Sequence, residues 1–244
     1  MKTAVVTGAS VGIGAATARH LAAEGYKVVC VARRAEKVEA LAEEIGGVAI
    51  ACDITKDEDV TRLREAVGDE LGVLVNNAGG ARGLEPVVEA DLELWQWMYD
   101  VNVLGTARVT KALFPALKAS AGVVVFVTST AAESGYEGGG GYCGAKAAER
   151  AMVESMRLEL YDTDVRITEI CPGMVETEEF SLSRFDGDAD KAAKVYEGVE
   201  APLTAEDVAD VITFMATRPK HVNLDRVVVR PRAQAANHKV YRTS

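Results

Sequence analysis

Short, wholly apolar runs alternate with longer stretches in which apolar residues recur every three or four positions. Thr3–Thr7, Lys27–Ala32, Val48–Cys52, Val73–Val75, Val123–Thr128, Val165–Cys171 and Arg226–Val229 form the first set. Runs that stay apolar, without alternation, suit strands buried on both faces, so they predict a parallel sheet covered by helices on each side. Helices are predicted from the glycines at 8–14 to about Glu24, and over Ala35–Ile45, Asp57–Val67, Asp91–Tyr99, Val103–Ala119, Tyr142–Leu160 and Ala205–Thr217. Gly25 is placed to end the first of these, and Thr204 with Asp207 to open the last. Alternation of strand and helix along the whole chain predicts one doubly wound α/β domain spanning residues 1–244. Only Glu176–Pro202 lacks a strand over a long stretch, and it is expected to form a lid at the C-terminal ends of the strands.

Composition narrows the function classes. The 244 residues are 48% hydrophobic, with 22 glycines and 6 prolines, which excludes a disordered chain. No apolar run approaches the ~18–20 residues of a membrane span. The start, Met1 to Thr7, carries one lysine and turns straight into glycines, so it does not read as a signal peptide. A net charge of −10 argues against nucleic-acid partners, which call for a basic face. Cys30, Cys52, Cys143 and Cys171 have neither pairing nor metal spacing. The first two and the last sit in apolar runs as small buried hydrophobes, and the reducing cytoplasm is the expected compartment. Asp186–Asp190 with Glu197 imitates a calcium loop, but Lys191 stands where the sharp turn needs glycine. His20, His221 and His238 form no ligand set, so no metal is expected. Trp95 and Trp97 are expected to pack or to meet another subunit.

The first strand runs into Thr7-Gly8-Ala9-Ser10-Val11-Gly12-Ile13-Gly14. A tight glycine turn lets the backbone approach a pyrophosphate, and the following helix aims its N-terminal N–H groups at it. Gly8, Ser10, Gly12, Ile13 and Gly14 are therefore candidate dinucleotide contacts. A site for NAD would carry an acid at the end of the second strand, to hold the ribose 2′-hydroxyl. Here that place reads Ala32-Arg33-Arg34, and two guanidinium groups suit a 2′-phosphate, hence NADP(H). Asp53, closing the third strand, is placed either to accept from the adenine amino group or to cap the next helix.

Tyr142 and Lys146 stand at i and i+4, on one helix face. An ammonium one turn away stabilises phenolate over phenol, which makes Tyr142 a usable proton donor and acceptor. Ser129 closes the Val123–Thr128 run, at a strand end where ligands bind in open sheets. Asn76-Asn77-Ala78-Gly79 follows the fourth strand, and Asn102 sits among apolar residues, a polar group that needs a reason to be buried.

In TGASVGIG (Thr7–Gly14), NNAG (Asn76–Gly79), Asn102, Ser129, YCGAK (Tyr142–Lys146) and CPGMVET (Cys171–Thr177), in this order, the chain resembles the short-chain dehydrogenase/reductase family. The resemblance implies a three-layer Rossmann-type fold and hydride transfer without a metal. It implies that Tyr142 exchanges a proton with the substrate oxygen and Ser129 polarises that oxygen. Lys146 would assist Tyr142 and bind the nicotinamide ribose, and Asn102 would position a water of a proton relay. Asn77, Ala78, Gly79, Pro172, Gly173, Val175 and Thr177 would line the cofactor, and the subunits would form a homotetramer through the helices near 103–119 and 142–160. Thr177-Glu178-Glu179-Phe180-Ser181, Arg184-Phe185, Gly187-Asp188, Pro202-Leu203-Thr204, His221-Val222-Asn223-Leu224 and Ala32–Lys37 look like the NADP-dependent serine/3-hydroxy acid dehydrogenases. That subgroup implies a small-molecule carboxylate substrate, for which Arg184 is the first candidate anchor and Arg82 the second. The alternatives are a carbonyl reductase of the same family acting on 3-oxoacyl thioesters or diketones, and a nonenzymatic NADP-sensing protein.

Overall fold

The computed structural model describes residues 2–177 and 179–243; Glu178, in the run compared above, lies outside them. Seven parallel strands form one sheet in the order β3-β2-β1-β4-β5-β6-β7. They are β1 (Thr3–Thr7), β2 (Lys27–Ala32), β3 (Val48–Ala51), β4 (Val73–Asn76), β5 (Val123–Val127), β6 (Arg166–Pro172) and β7 (Arg226–Val229). One helical layer holds α1 (Gly12–Ala23), α2 (Ala35–Ile45) and α9 (Ala205–Ala216); the other holds α3 (Asp57–Val67), α5 (Thr106–Ala119) and α6 (Gly140–Glu159).

The absence of alternation in the strands follows from this sandwich. Val123, Val125 and Val127 of β5 pack with Leu21, Val38 and Ile212, while Val124 and Phe126 pack with Leu63, Leu113 and Val153. Successive side chains of one strand thus enter opposite cores, and each core needs an apolar residue. The capping box at Thr204 forms, with the Thr204 hydroxyl accepting from Asp207 N and the Asp207 carboxylate accepting from Thr204 N.

Strand order reverses direction between β1 and β4, which opens a crevice at their C-terminal ends. Three departures from the sequence reading shape the surroundings. The break between α4 (Leu92–Tyr99) and α5 is no break: a π-helical turn over Asp100–Gly105 joins them, so the predicted start at Val103 falls inside a continuous helical segment. The stretch expected to form a lid contains two short helices, α7 (Phe180–Arg184) and α8 (Ala189–Lys194). A small antiparallel hairpin, β8 (Gln234–Ala236) and β9 (Lys239–Val240), follows the sheet and had no apolar run to announce it. No helix among the described residues is long and apolar enough to cross a membrane.

Candidate active site

A cavity of about 850 Å³ opens along the C-terminal ends of the strands. Of the predicted residues it is lined by Gly8, Ser10, Gly12, Ile13, Arg33, Arg34, Asp53, Asn77, Ala78, Gly79, Arg82, Ser129, Tyr142, Lys146, Pro172, Gly173, Val175, Thr177 and Arg184. Gly14 and Asn102 do not line it; they shape it from beneath.

The glycine turn is built by close approach. Gly8 and Gly12 adopt φ of +67° and +55°. A Cβ on Gly14 would fall on the Gly8 carbonyl and stand 2.6 Å from Asn77 Nδ2, so only glycine lets α1 begin this near β1. Asn77 Nδ2 donates to the Thr7 carbonyl at 3.0 Å, and the Thr7 hydroxyl accepts from Asn77 N and Ala78 N, each at 3.0 Å. The two loops at the switch point are therefore stitched together, with the first-turn N–H groups of α1 facing the crevice in a place suited to a pyrophosphate.

At the far end of that crevice Arg34 donates to Ser10 Oγ at 2.8 Å. Its Nη1 also lies 2.7 Å and 2.6 Å from the two carboxylate oxygens of Glu179, and Lys37 Nζ lies 2.6 Å from one of them. Arg33 is exposed beside it. Arg34 and Lys37 thus converge on the carboxylate of Glu179. Asp53 does not cap α3: its carboxylate accepts from Thr55 N and the Thr55 hydroxyl, while its own N–H donates to Asp59. The capping alternative is thereby corrected, because α3 begins four residues later with Lys56 at the cap.

On α6, Tyr142, Lys146, Glu149 and Val153 make one buried stripe. Glycines at its start allow α4 to press close, since a Cβ on Gly141 would stand 2.7 Å from Trp95 Cδ1. Trp95 packs here and Trp97 lies beneath the Arg82 guanidinium, both in an apolar cluster around Met98 and Tyr142. Lys146 Nζ donates to the Val127 carbonyl at 3.0 Å and to Glu149 Oε2 at 2.7 Å, which leaves its third N–H for the cavity. Burial works to lower the Lys146 ammonium, but its neighbours, Glu149 foremost, together outweigh it, so the proton is held more tightly than in water. Burial also pushes the Glu149 carboxyl up to about 7, with Lys146 pulling the other way. Ser129 caps a short 3₁₀ turn, its Oγ accepting from Ala131 N at 3.1 Å.

The Asn102 side chain is buried and bonded to main chain on both sides. Nδ2 donates to the carbonyls of Gly80 (2.9 Å) and Met98 (2.7 Å), and Oδ1 accepts from Gly80 N at 3.1 Å. These bonds bind the π turn to the loop after Gly79.

The two arginines differ. Arg82 is committed at the rim to Asp186, at 2.8 Å, and to the Trp97 ring. Arg184 reaches inward: Nε donates to the Gly83 carbonyl, Nη1 donates to Tyr136 Oη at 3.0 Å, and Cζ lies 5.9 Å from the Tyr142 ring centroid. Its Nη2 is buried without a hydrogen-bond partner among the described residues. The chain's residues 2–185 match the family model described as short chain dehydrogenase. The chain belongs to the short-chain dehydrogenase family.

Within that family the chain is 58% identical over 236 residues to an uncharacterized oxidoreductase of Mycobacterium tuberculosis, covering 96% of this chain and 93% of that one. It is 41% identical to a serine 3-dehydrogenase of Agrobacterium fabrum, with 99% of each chain covered. A solved structure, the closed form of a serine dehydrogenase complexed with NADP+, superposes with a TM-score of 0.92 at 34% identity, covering 99% of this chain and 100% of that one. The chain is accordingly a short-chain oxidoreductase acting on alcohol groups. Five contributors to its site escaped the sequence reading. Glu149 was detectable as an acid at i+3 from Lys146 on the same helix face. Lys37 and Glu179 stood inside quoted runs without a role. The hairpin residues Gln234 and Asn237, which bond to Met174 N and the Thr130 carbonyl, left no signal.

Proposed function

We propose that this enzyme is an NADP-dependent oxidoreductase that transfers a hydride between the nicotinamide and a small 3-hydroxy or 3-oxo acid, of the serine and 3-hydroxypropionate/malonic semialdehyde type. One observation carries the substrate class: among the described residues Arg184 has a buried, unmatched Nη2 beside Tyr142. An unpaired buried donor is costly, and a substrate carboxylate would satisfy it with a charge-assisted bond. Arg82 already has its carboxylate in Asp186 and is the weaker anchor. The cation cluster of Arg33, Arg34 and Lys37 favours the 2′-phosphorylated dinucleotide, and the loops of Pro172, Gly173, Val175 and Thr177 would flank the nicotinamide end.

When bound, NADP+ supplies the hydride acceptor. The remaining work falls to the chain. Arg184 would hold the carboxylate, which places the 3-hydroxyl toward Tyr142 and Ser129. The Ser129 hydroxyl would donate to the substrate oxygen. The Tyr142 phenolate would take the hydroxyl proton as the carbon loses hydride, and Lys146, fixed by Val127 and Glu149, would stabilise that phenolate. In the reducing direction Tyr142 gives the same proton back. Cytoplasmic location and a homotetramer, with Leu104 and Leu158 among the exposed apolar residues of the two helices concerned, are part of the same reading; light scattering on the purified protein checks the assembly.

The test is an absorbance assay at the reduced-nicotinamide band with L-serine, 3-hydroxypropionate, 3-hydroxyisobutyrate, malonic semialdehyde, methylglyoxal and an acetoacetyl thioester, with NADP(H) and NAD(H) in parallel. Turnover of the acids with NADP(H) supports the proposal. Turnover of the thioester alone refutes the substrate class, and full activity in Tyr142→Phe refutes the chemistry. Arg184→Gln is expected to raise KM for the acids more than for methylglyoxal, which has no carboxylate.

A further inference from the structure

Both members of the Lys146–Glu149 pair are almost wholly buried, with side chains 5% and 2% exposed. Removing two charges from water costs several kcal/mol per ion, so such a pair is a poor way to fill a core. Val153, the next residue of the stripe, shows that an apolar side chain fits this face of α6. We infer that Glu149 is a positioning residue of the proton-transfer machinery: it clamps the Lys146 ammonium under Tyr142, and its charge sets the pH at which the Tyr142–Lys146 pair releases a proton. This deepens the dehydrogenase reading and rests on it.

Geometry supplies the first half. Lys146 has three N–H groups, and the two that go to the Val127 carbonyl and Glu149 Oε2 fix the direction of the third. Electrostatics supplies the second. Release of a proton by either Tyr142 or Lys146 adds one negative charge to the cluster, and an anion at 149 opposes both. Its effect therefore has one sign whichever group is assigned the proton. Other charges face the pair from neighbouring elements. Glu169 and Cys171 approach from β6. The Glu169 carboxylate accepts from the Thr128 hydroxyl at 2.7 Å, with Arg157 and Arg226 each 4.0 Å from its second oxygen. Two cations thus offset Glu169, whereas Glu149 meets Lys146 alone. From α4 the Tyr99 phenol lies over Gly144.

Glu149→Gln tests the inference, since glutamine keeps the shape and an acceptor for Lys146 but not the charge. In protein labelled with [ζ-13C]tyrosine, with Tyr142 assigned by its absence in Tyr142→Phe, the Tyr142 midpoint is expected about one pH unit or more lower in Glu149→Gln than in wild type. This readout needs no turnover, so it stands apart from the substrate assay. For any alcohol that the wild type oxidises, the acid limb of kcat/KM is expected to move the same way, with the KM for cofactor unchanged. A Tyr142 midpoint that stays put or rises overturns the inference. Should glutamine prevent folding, Glu149→Asp keeps the anion and changes its reach. The midpoint then stays near wild type while kcat falls, and a midpoint displaced as far as glutamine should displace it is the contrary result.

Discussion

Glu179 occupies the cations that the 2′-phosphate would need. Glu179 bridges Arg34 and Lys37, although its side chain and theirs are 29%, 38% and 41% exposed. Partial burial works to raise the Glu179 carboxyl, but Lys37 and Arg34 outweigh it and hold it below the usual carboxylate range. It is therefore an anion at neutral pH, and binding of NADP(H) must exchange one anion for another. Solvent-exposed pairs contribute about 0.2–1 kcal/mol each. Ser10 braces Arg34, which places the two pairs toward the upper end, at about 1–2 kcal/mol together. Glu179→Gln removes this competitor, so NADPH is expected to bind about 5–30-fold more tightly. NADH presents a hydroxyl that does not displace the carboxylate, and its affinity is expected to change little. Titration of cofactor fluorescence reads both constants, and raising the salt concentration should shrink the difference between variant and wild type. An NADPH affinity that is unchanged or weakened in Glu179→Gln would refute the competition and make Glu179 part of the bound site instead.

Three further outcomes follow from the same geometry. Thr204→Ala removes the capping box of α9 and should cost about 1 kcal/mol, or roughly 2–4 °C in melting temperature. Bonds from Thr204 N and the Thr204 hydroxyl hold the Asp207 carboxyl below the usual range, so their contribution is present above that range and is lost as pH falls through the lowered value; the bond from Asp207 N to the Thr204 hydroxyl does not titrate, so the gap between wild type and variant should narrow at low pH without closing. Burial pushes the Cys30 thiol up to about 11 and the Cys52 thiol up to about 12, so neither should react with a thiol reagent at pH 8 until the protein is unfolded; fast labelling of either in the native state would contradict their burial. Gly14→Ala places a methyl against the Gly8 carbonyl and Asn77, and overpacking of this kind costs about 1–3 kcal/mol; cofactor affinity should fall with stability, and an unaffected affinity would show that the turn has room.

Much of this fold was written in the chain because two-sided burial leaves an unmistakable mark. The strands Lys27–Ala32 and Arg226–Val229 and the helices Ala35–Ile45 and Asp57–Val67 have the limits that the apolar pattern predicts. The pattern fails where geometry departs from regular periods. The π turn at Asp100–Gly105 carries apolar residues at positions that fit neither neighbour, so it reads as a gap. The hairpin Gln234–Val240 is half exposed and held by Gln234 and Asn237 rather than by a buried face. In the proposed site, residues assigned a chemistry of their own, such as Tyr142, Lys146 and Ser129, were visible by type and spacing. Those that act through a partner were not: Glu149 matters because it touches Lys146, and Glu179 because the lid folds back across 145 residues of chain to reach Arg34.

The same contrast explains how a chain of net charge −10 can serve an anionic cofactor. Global charge governs encounter, whereas affinity is set by charges within a few ångströms. Arg34 and Lys37 stand at one end of the cavity, Lys146 in the middle and Arg184 at the substrate end. Two of these three stations already hold a carboxylate from the chain itself: Glu179 at the first and Glu149 at the second. Among the described residues the Arg184 Nη2 is a buried donor without a partner. The acids are thus placed where a bound anion must be admitted by exchange or a proton released on schedule. That donor lies where the proposed substrate would bring its own negative charge. An enzyme arranged in this way should bind an unreactive carboxylate such as propionate at the Arg184 end without cofactor, in competition with the 3-hydroxy acids. Propionate that fails to protect Arg184 from guanidinium-modifying reagents, or that protects Arg184→Gln protein equally at other sites, would remove the charge argument for the substrate class.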